Sequence, residues 1–177
     1  MEHKIIFTGP VGAGKTTAIG VVSDIPVVST EAAATDDTAL RKANTTVAMD
    51  YGVLHLDGGA KVHLYGTPGQ ERFSFMWDIL TVGGIGLVLL IDNSRDDPLA
   101  DLEFYLKAFA GFIAKNGVVI GVTRMDAKPR PGLYSFHTRL AELQVQAPVF
   151  EVDARSRHDI KLLLLALLAT LDPGVRR

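Results

Sequence analysis

Eight residues near the amino end, GPVGAGKT at 9–16, have the spacing of a phosphate cradle. Gly9, Gly12 and Gly14 let the backbone curl so that successive N–H groups face one point, as a polyphosphate requires. A helix beginning at the end of the motif adds the partial positive charge of its N-terminus. Lys15 can bridge the β- and γ-phosphates, and the Thr16 hydroxyl can ligate Mg²⁺. Val11 and Ala13 in the same stretch, and Thr17 directly after it, complete the phosphate-side candidates. The chemistry is nucleoside-triphosphate binding, with no preference yet among bases.

A second polar cluster, VTRMD at 122–126, speaks to the base. The Asp126 carboxylate is acceptor-only. Guanine offers it two donors, N1–H and the 2-amino group, whereas adenine presents an N1 acceptor that would repel it. The cluster resembles the N/T-K-x-D guanine reader of GTPases. Thr123 stands where asparagine is commoner, and Arg124 where lysine is. Arg124 can still lay its stem or guanidinium over a base plane. A third cluster, EVDAR at 151–155, resembles the E-T-S-A-K motif, in which a backbone N–H at the alanine reads guanine O6. Ala154 is that residue here, with Asp153 and Arg155 beside it.

The stretch from Thr46 to Phe73, TVAMDYG followed by LDGGAKVHLYGTPGQERF, carries the most specific likeness. It resembles the T-x-G-x-D-F, D-G and W-D-T-A-G-Q-E-R-F motifs of Rab-type Ras-like GTPases. Thr-Pro-Gly-Gln in place of Thr-Ala-Gly-Gln makes it more similar to the bacterial MglA-type small GTPases. The motifs run in order along the whole chain. The resemblance implies GTP and GDP as ligands, with Mg²⁺. It makes Thr46 the switch threonine that ligates the metal with Thr16, Thr45 being the near competitor. Gly69 becomes the γ-phosphate contact, and Gln70, with Lys15, the catalytic pair.

Two departures qualify that likeness. Gly66 sits where most Ras-like proteins have an aspartate holding Mg²⁺ through a water. MglA-type proteins also lack it, and Mg²⁺ needs only one or two protein ligands besides phosphate and water. Weakened metal affinity with retained catalysis is the expectation. Asp92, at the end of LVLLID, is read as a loop cap and not as a substitute ligand. Val11 replaces the usual glycine and crowds the space an arginine finger would enter, so slow hydrolysis is expected. Arg41 and Lys42 are read as exposed loop charges.

These motifs need strands and helices to hold them. KIIFTG, GIGLVLLID, VVIGVTR and PVFEVD read as buried strands, and Thr46–Gly66 as a hairpin about Asp57-Gly58-Gly59. Helices follow at 14–23, at 97–117 between Pro98 and Asn116-Gly117, through GLYSFHTRLAELQ, and from Ser156 onward. The expected fold class is α/β, a P-loop NTPase fold. It has a six-stranded, mostly parallel sheet with one antiparallel edge hairpin strand and helices on both faces. One small domain over 1–177 is the expected organisation. The long irregular stretch at 24–45 reads as a functional loop.

Composition narrows the function classes. With 177 residues, 47% apolar content and a net charge of −2, the chain suits one core and gives nucleic acid no basic footprint. Cys is absent and residue 2 is Glu2, which removes disulfides, thiolate metal sites and the common lipid anchors. The apolar runs are shorter than the roughly 20 residues that span a bilayer. A cytoplasmic monomer is therefore expected, partnered by a protein effector and an activating protein, for which the resemblance implies the roadblock or longin type. The alternatives to a switch are a nucleotide-binding scaffold with negligible hydrolysis and a small-molecule kinase. The five histidines show no metal spacing. Trp77, Phe73 and Phe75 read equally as helix packing or as an effector surface.

Overall fold

The runs Gly86–Asp92 and Gly117–Thr123 are buried at every residue, as strands covered by helices on both faces must be. The computed structural model describes residues 1–29, 49–70 and 74–171. Its elements run β1 (Glu2–Thr8), α1 (Lys15–Val22), β2 (Val28–Ser29), β3 (Asp50–His55), β4 (Lys61–Gly66) and α2 (Phe75–Thr81). They continue with β5 (Gly86–Asp92), α3 (Pro98–Ala108), α4 (Ala110–Lys115), β6 (Gly117–Thr123), α5 (Leu133–Glu142), β7 (Val149–Glu151) and α6 (Arg157–Leu171). The sheet order is β2-β3-β4-β1-β5-β6-β7. The β4-β1-β5-β6-β7 pairings are parallel, and β2–β3 and β3–β4 are antiparallel.

The α/β sheet is as expected, with one correction. Among the described residues the sheet has seven strands where six were predicted, because β2 pairs Val28 with Tyr51 and Ser29 with Asp50. The antiparallel hairpin strand β3 is therefore not at the edge. Two exposed residues carry no period that a sequence pattern could register. The predicted 97–117 helix is also split. Asp97 caps α3 by accepting from the Ala100 N–H at 2.9 Å. Phe109 then leaves helical geometry (φ −101°, ψ 12°), and its buried ring stacks on Trp77 with centroids 5.2 Å apart. Packing overrides local helix preference there.

Alternation along β1 divides the core. Ile5 and Phe7 point to the face covered by α1 and α6, joining Ile19, Leu90 and Leu163. Ile6 points to the other face, joining Trp77, Leu102 and Phe136 of α2, α3 and α5. Among the described residues no helix is long and apolar enough to cross a membrane.

Candidate nucleotide-binding site

The loop after β1 is fixed by close approach. A Cβ on Gly9, whose φ is +144°, would lie 2.1 Å from the Leu90 carbonyl oxygen, so β5 admits only glycine. Gly14 adopts the left-handed conformation (φ +102°) as N-cap of α1. No acidic residue sits in the first turn of α1, so the positive end of the helix is left for an anion. The buried Lys15 ammonium donates to the carbonyls of Gly9 (2.7 Å) and Pro10 (2.8 Å). The loop thus holds its own lysine across its mouth.

Beside it lies a cavity of about 300 Å³ bordered by Val11, Gly12, Lys15 and Thr16 on one side and Thr67 to Gln70 on the other. Its wall includes a carboxylate to which the sequence reading gave no role, although it stands at the D of the T-x-G-x-D-F likeness. Asp50, buried at the start of β3, accepts a 2.5 Å hydrogen bond from the Thr16 hydroxyl. Asp50 is the cross-strand partner of Gly66. A Cβ on Gly66 would come within 3.2 Å of the Asp50 Cβ and 3.3 Å of its Oδ2. The space of the missing side chain is therefore taken up by Ile19, whose Cδ1 would lie 3.1 Å from that Cβ, and by an acid from the neighbouring strand. The signal was present in the hairpin, since Asp50 and Gly66 are equidistant from Gly58 at the turn and must face each other.

The segment after β4 is tied down from below. The Thr67 and Thr8 hydroxyls are 2.8 Å apart, and the Thr67 N–H donates to Phe7 O at 2.9 Å. The Trp77 indole N–H donates to Pro68 O at 3.0 Å, and the Tyr105 hydroxyl to Gly69 O at 3.3 Å. A Cβ on Gly69 would fall 2.7 Å from the Val11 nitrogen and 2.9 Å from the Lys15 ammonium. Only glycine approaches the phosphate loop this closely. Gln70 is exposed at the rim of the same cavity. Thr46, its competitor Thr45, Arg41, Lys42 and Phe73 lie outside the described residues.

A larger cavity, about 650 Å³, opens on the other side of Gly14 and Thr17, between residues 123–127 and 151–155. The buried Thr123 hydroxyl donates to Ala13 O at 3.0 Å, with Ile91 O at 3.3 Å as a second acceptor. It thereby fastens the phosphate loop to the end of β6. Thr123→Val is expected to remove the bond to the Ala13 carbonyl, costing about 1–3 kcal/mol. A lower melting temperature and weaker nucleotide binding by calorimetry check this.

Arg124 has a positive φ of 59°, a strained setting for arginine. Its guanidinium sits 3.3 Å from Asp92 Oδ2, while Asp92 Oδ1 accepts from the Ser94 N–H and hydroxyl. Asp92 is a loop cap here. Asp126 is exposed on the cavity wall. Opposite, the Asp153 and Arg155 side chains face each other in a two-pronged pair at 3.0 and 2.9 Å. Those bonds hold the Asp153 carboxyl below its ordinary range and the Arg155 guanidinium above its own. Ala154 packs so tightly that a Cβ on Gly14 would lie 2.7 Å from the Ala154 Cβ. The phosphate loop, residues 123–127 and residues 153–155 therefore form one interlocked rim.

Two of the aromatic candidates part company. Trp77 is buried among Tyr105 and Phe109, whereas Phe75 is exposed with Ile79 and Val82 on the outer face of α2 and just beyond it. Among the described residues no three His, Cys, Asp or Glu gather as a metal cage.

Residues 7–157 match the family model described as "conserved hypothetical ATP binding protein". Among curated proteins the chain is similar to the uncharacterized protein MJ1339 of Methanocaldococcus jannaschii, 27% identical over 136 residues, covering 76% of this chain and 79% of that one. It is also similar to the Ras-related protein Rab-18-B of Danio rerio, 28% identical over 66% of this chain but 52% of the relative. The GTP-binding nuclear protein GSP1 of Encephalitozoon cuniculi is 24% identical over 94% of this chain and 75% of its own. Among solved structures, the G domain of the T. maritima FeoB iron transporter superposes with a TM-score of 0.67 at 15% identity, covering 97% of this chain and all of that one. The bacterial selenocysteine-specific elongation factor EF-Sec gives 0.65 at 17% identity, with this chain spanning 30% of its length. The fold is that of G-domain P-loop proteins.

Proposed function

We propose that this chain, which belongs to the family of that model, is a molecular switch that binds guanine nucleotides with Mg²⁺ and cleaves GTP slowly. The family description names ATP, and the single observation against adenine is the Asp126 carboxylate on the wall of the base cavity. Only a base with two adjacent donors suits an acceptor-only group there. The names of the two Ras-like relatives lean the same way. Titration calorimetry with GDP, GTP, ADP and ATP tests it: guanine nucleotides bind and adenine nucleotides compete poorly. Equal affinities for both would refute guanine selectivity.

The residues present suit Mg²⁺. The Thr16 hydroxyl and the Asp50 carboxylate are hard oxygen donors already in contact within the phosphate-side cavity. Mg²⁺ keeps several waters and takes few protein ligands. When bound it neutralises phosphate charge. Thr16 would ligate it directly and Asp50 would hold its water, with Thr46 as the further ligand implied by the resemblance. Lys15 binds the phosphates, Gly69 supplies a backbone N–H, and Gln70 orients the attacking water.

Turnover on the order of 10⁻⁴ s⁻¹ is expected without an activating protein. Gln70→Ala is expected to lower the single-turnover rate about 10²-fold with GTP affinity unchanged, because misorienting an attacking group costs about that much. The scaffold reading draws support from Val11, which is 56% exposed on the cavity it shares with Gly69 and Gln70, where its side chain would crowd an entering arginine finger. Tight GTP binding with no cleavage by either protein would favour it. A protein effector fits the apolar row of Phe75, Ile79 and Val82, spaced at helical intervals.

A further inference from the structure

We infer that Asn93 is a positioning residue for base recognition: its buried amide sets the loop that carries Asp126. This rests on the guanine reading of Asp126. Asn93 directly follows β5 and is fully buried. Its backbone N–H donates to Thr123 O at 2.9 Å, which is where the loop leaves β6. Its side-chain Nδ2 donates to Lys128 O at 2.7 Å and to Pro131 O at 3.1 Å, on the returning limb. One residue therefore grips both limbs of the loop, and Asp126 lies between the grips.

Lys128 reinforces the same limb. Its N–H donates to Arg124 O at 3.1 Å, and its ammonium donates to Arg95 O at 2.8 Å. Asp126 is exposed, and the backbone beneath it sets the point from which its carboxylate reaches the cavity. Two hydrogen bonds to adjacent donors on one base tolerate only small displacements of that backbone.

The other half of the amide supports the assignment. Asn93 Oδ1 is buried and has no hydrogen-bond partner among the described residues. An unpaired buried carbonyl destabilises a fold. An apolar side chain of similar size would remove that penalty, at the loss of both donors. Asparagine is therefore explained by its donors, and two facing carbonyls fix which end carries the nitrogen.

Asn93→Asp keeps the shape and sets an acceptor against both carbonyls. Asn93→Ser is smaller but keeps one donor. Affinities of the full chain for GDP, inosine diphosphate, ADP and pyrophosphate separate the roles, because inosine lacks the 2-amino donor and pyrophosphate has no base. The GDP-over-inosine-diphosphate preference is expected to shrink by about tenfold in Asn93→Asp and less in Asn93→Ser, with pyrophosphate affinity unchanged. A merely structural residue would instead weaken all four ligands in proportion, most in the cavity-forming Asn93→Ser, and that result overturns the inference. If Asn93→Asp fails to fold, Asn93→Ser is read by the same ratio. Wild-type protein that prefers GDP while the variants keep its full preference overturns the inference alone. Wild-type protein without preference for GDP over ADP overturns the guanine reading and the inference together.

Discussion

Asp126→Asn is expected to lower GDP affinity roughly 10²–10⁴-fold and to leave pyrophosphate affinity where it was. The carboxylate would accept two charge-assisted bonds, each worth about 1.5–3 kcal/mol. The amide replacing it has the same outline but turns one acceptor into a donor, which then opposes a donor of guanine. The rim around position 126 is held by the Thr123–Ala13 bond and by the packing of Ala154 against Gly14, not by the carboxylate itself. The substitution should therefore leave the melting temperature of the nucleotide-free protein unchanged. Calorimetry with GDP and pyrophosphate checks both halves. Undiminished GDP binding would mean that another group reads the base.

Asp50→Ala is expected to weaken the Mg²⁺ dependence of GDP retention by about 10–100-fold, the usual cost of losing a group that orients metal ligands. Retention in excess chelator should stay the same, because Asp50 faces Thr16 and not the base cavity. Gly66→Asp alone should be worse than a simple addition suggests. Its Cβ would crowd Asp50 at 3.2 Å and bring two carboxylates together. Combining Gly66→Asp with Asp50→Ala should recover Mg²⁺ dependence, since one acid again occupies the space. Nucleotide-release rates across a Mg²⁺ titration measure all three. An Asp50→Ala protein that keeps the wild-type Mg²⁺ dependence of GDP release would make Asp50 a structural partner of Thr16 only.

Contiguity separates what was legible in the sequence from what was not. Gly9 to Thr17 lie in one strand–turn–helix unit, so their juxtaposition needs no tertiary knowledge. The buried strands β5 and β6 announced themselves as unbroken apolar runs. The division of the long helix at Phe109 depended on Trp77, thirty-two residues earlier in the chain, and no local pattern carries that. Asp50 was visible as a motif residue, but its place opposite Gly66 was not, because residues eight away from a turn on either side touch only after pairing. Asn93 escaped because its role lies in backbone carbonyls, which every residue has. Side chains reading other side chains leave compositional traces; side chains reading backbone do not.

The chain has a single tryptophan, Trp77, whose indole N–H is fastened to the carbonyl of Pro68, one residue before the closest approach to the phosphate loop. Indole emission responds to the loss of such a bond and to changes in neighbouring rings. The molecule therefore carries its own optical gauge of that segment. Ligand arrival and departure can be timed by stopped-flow on unlabelled protein.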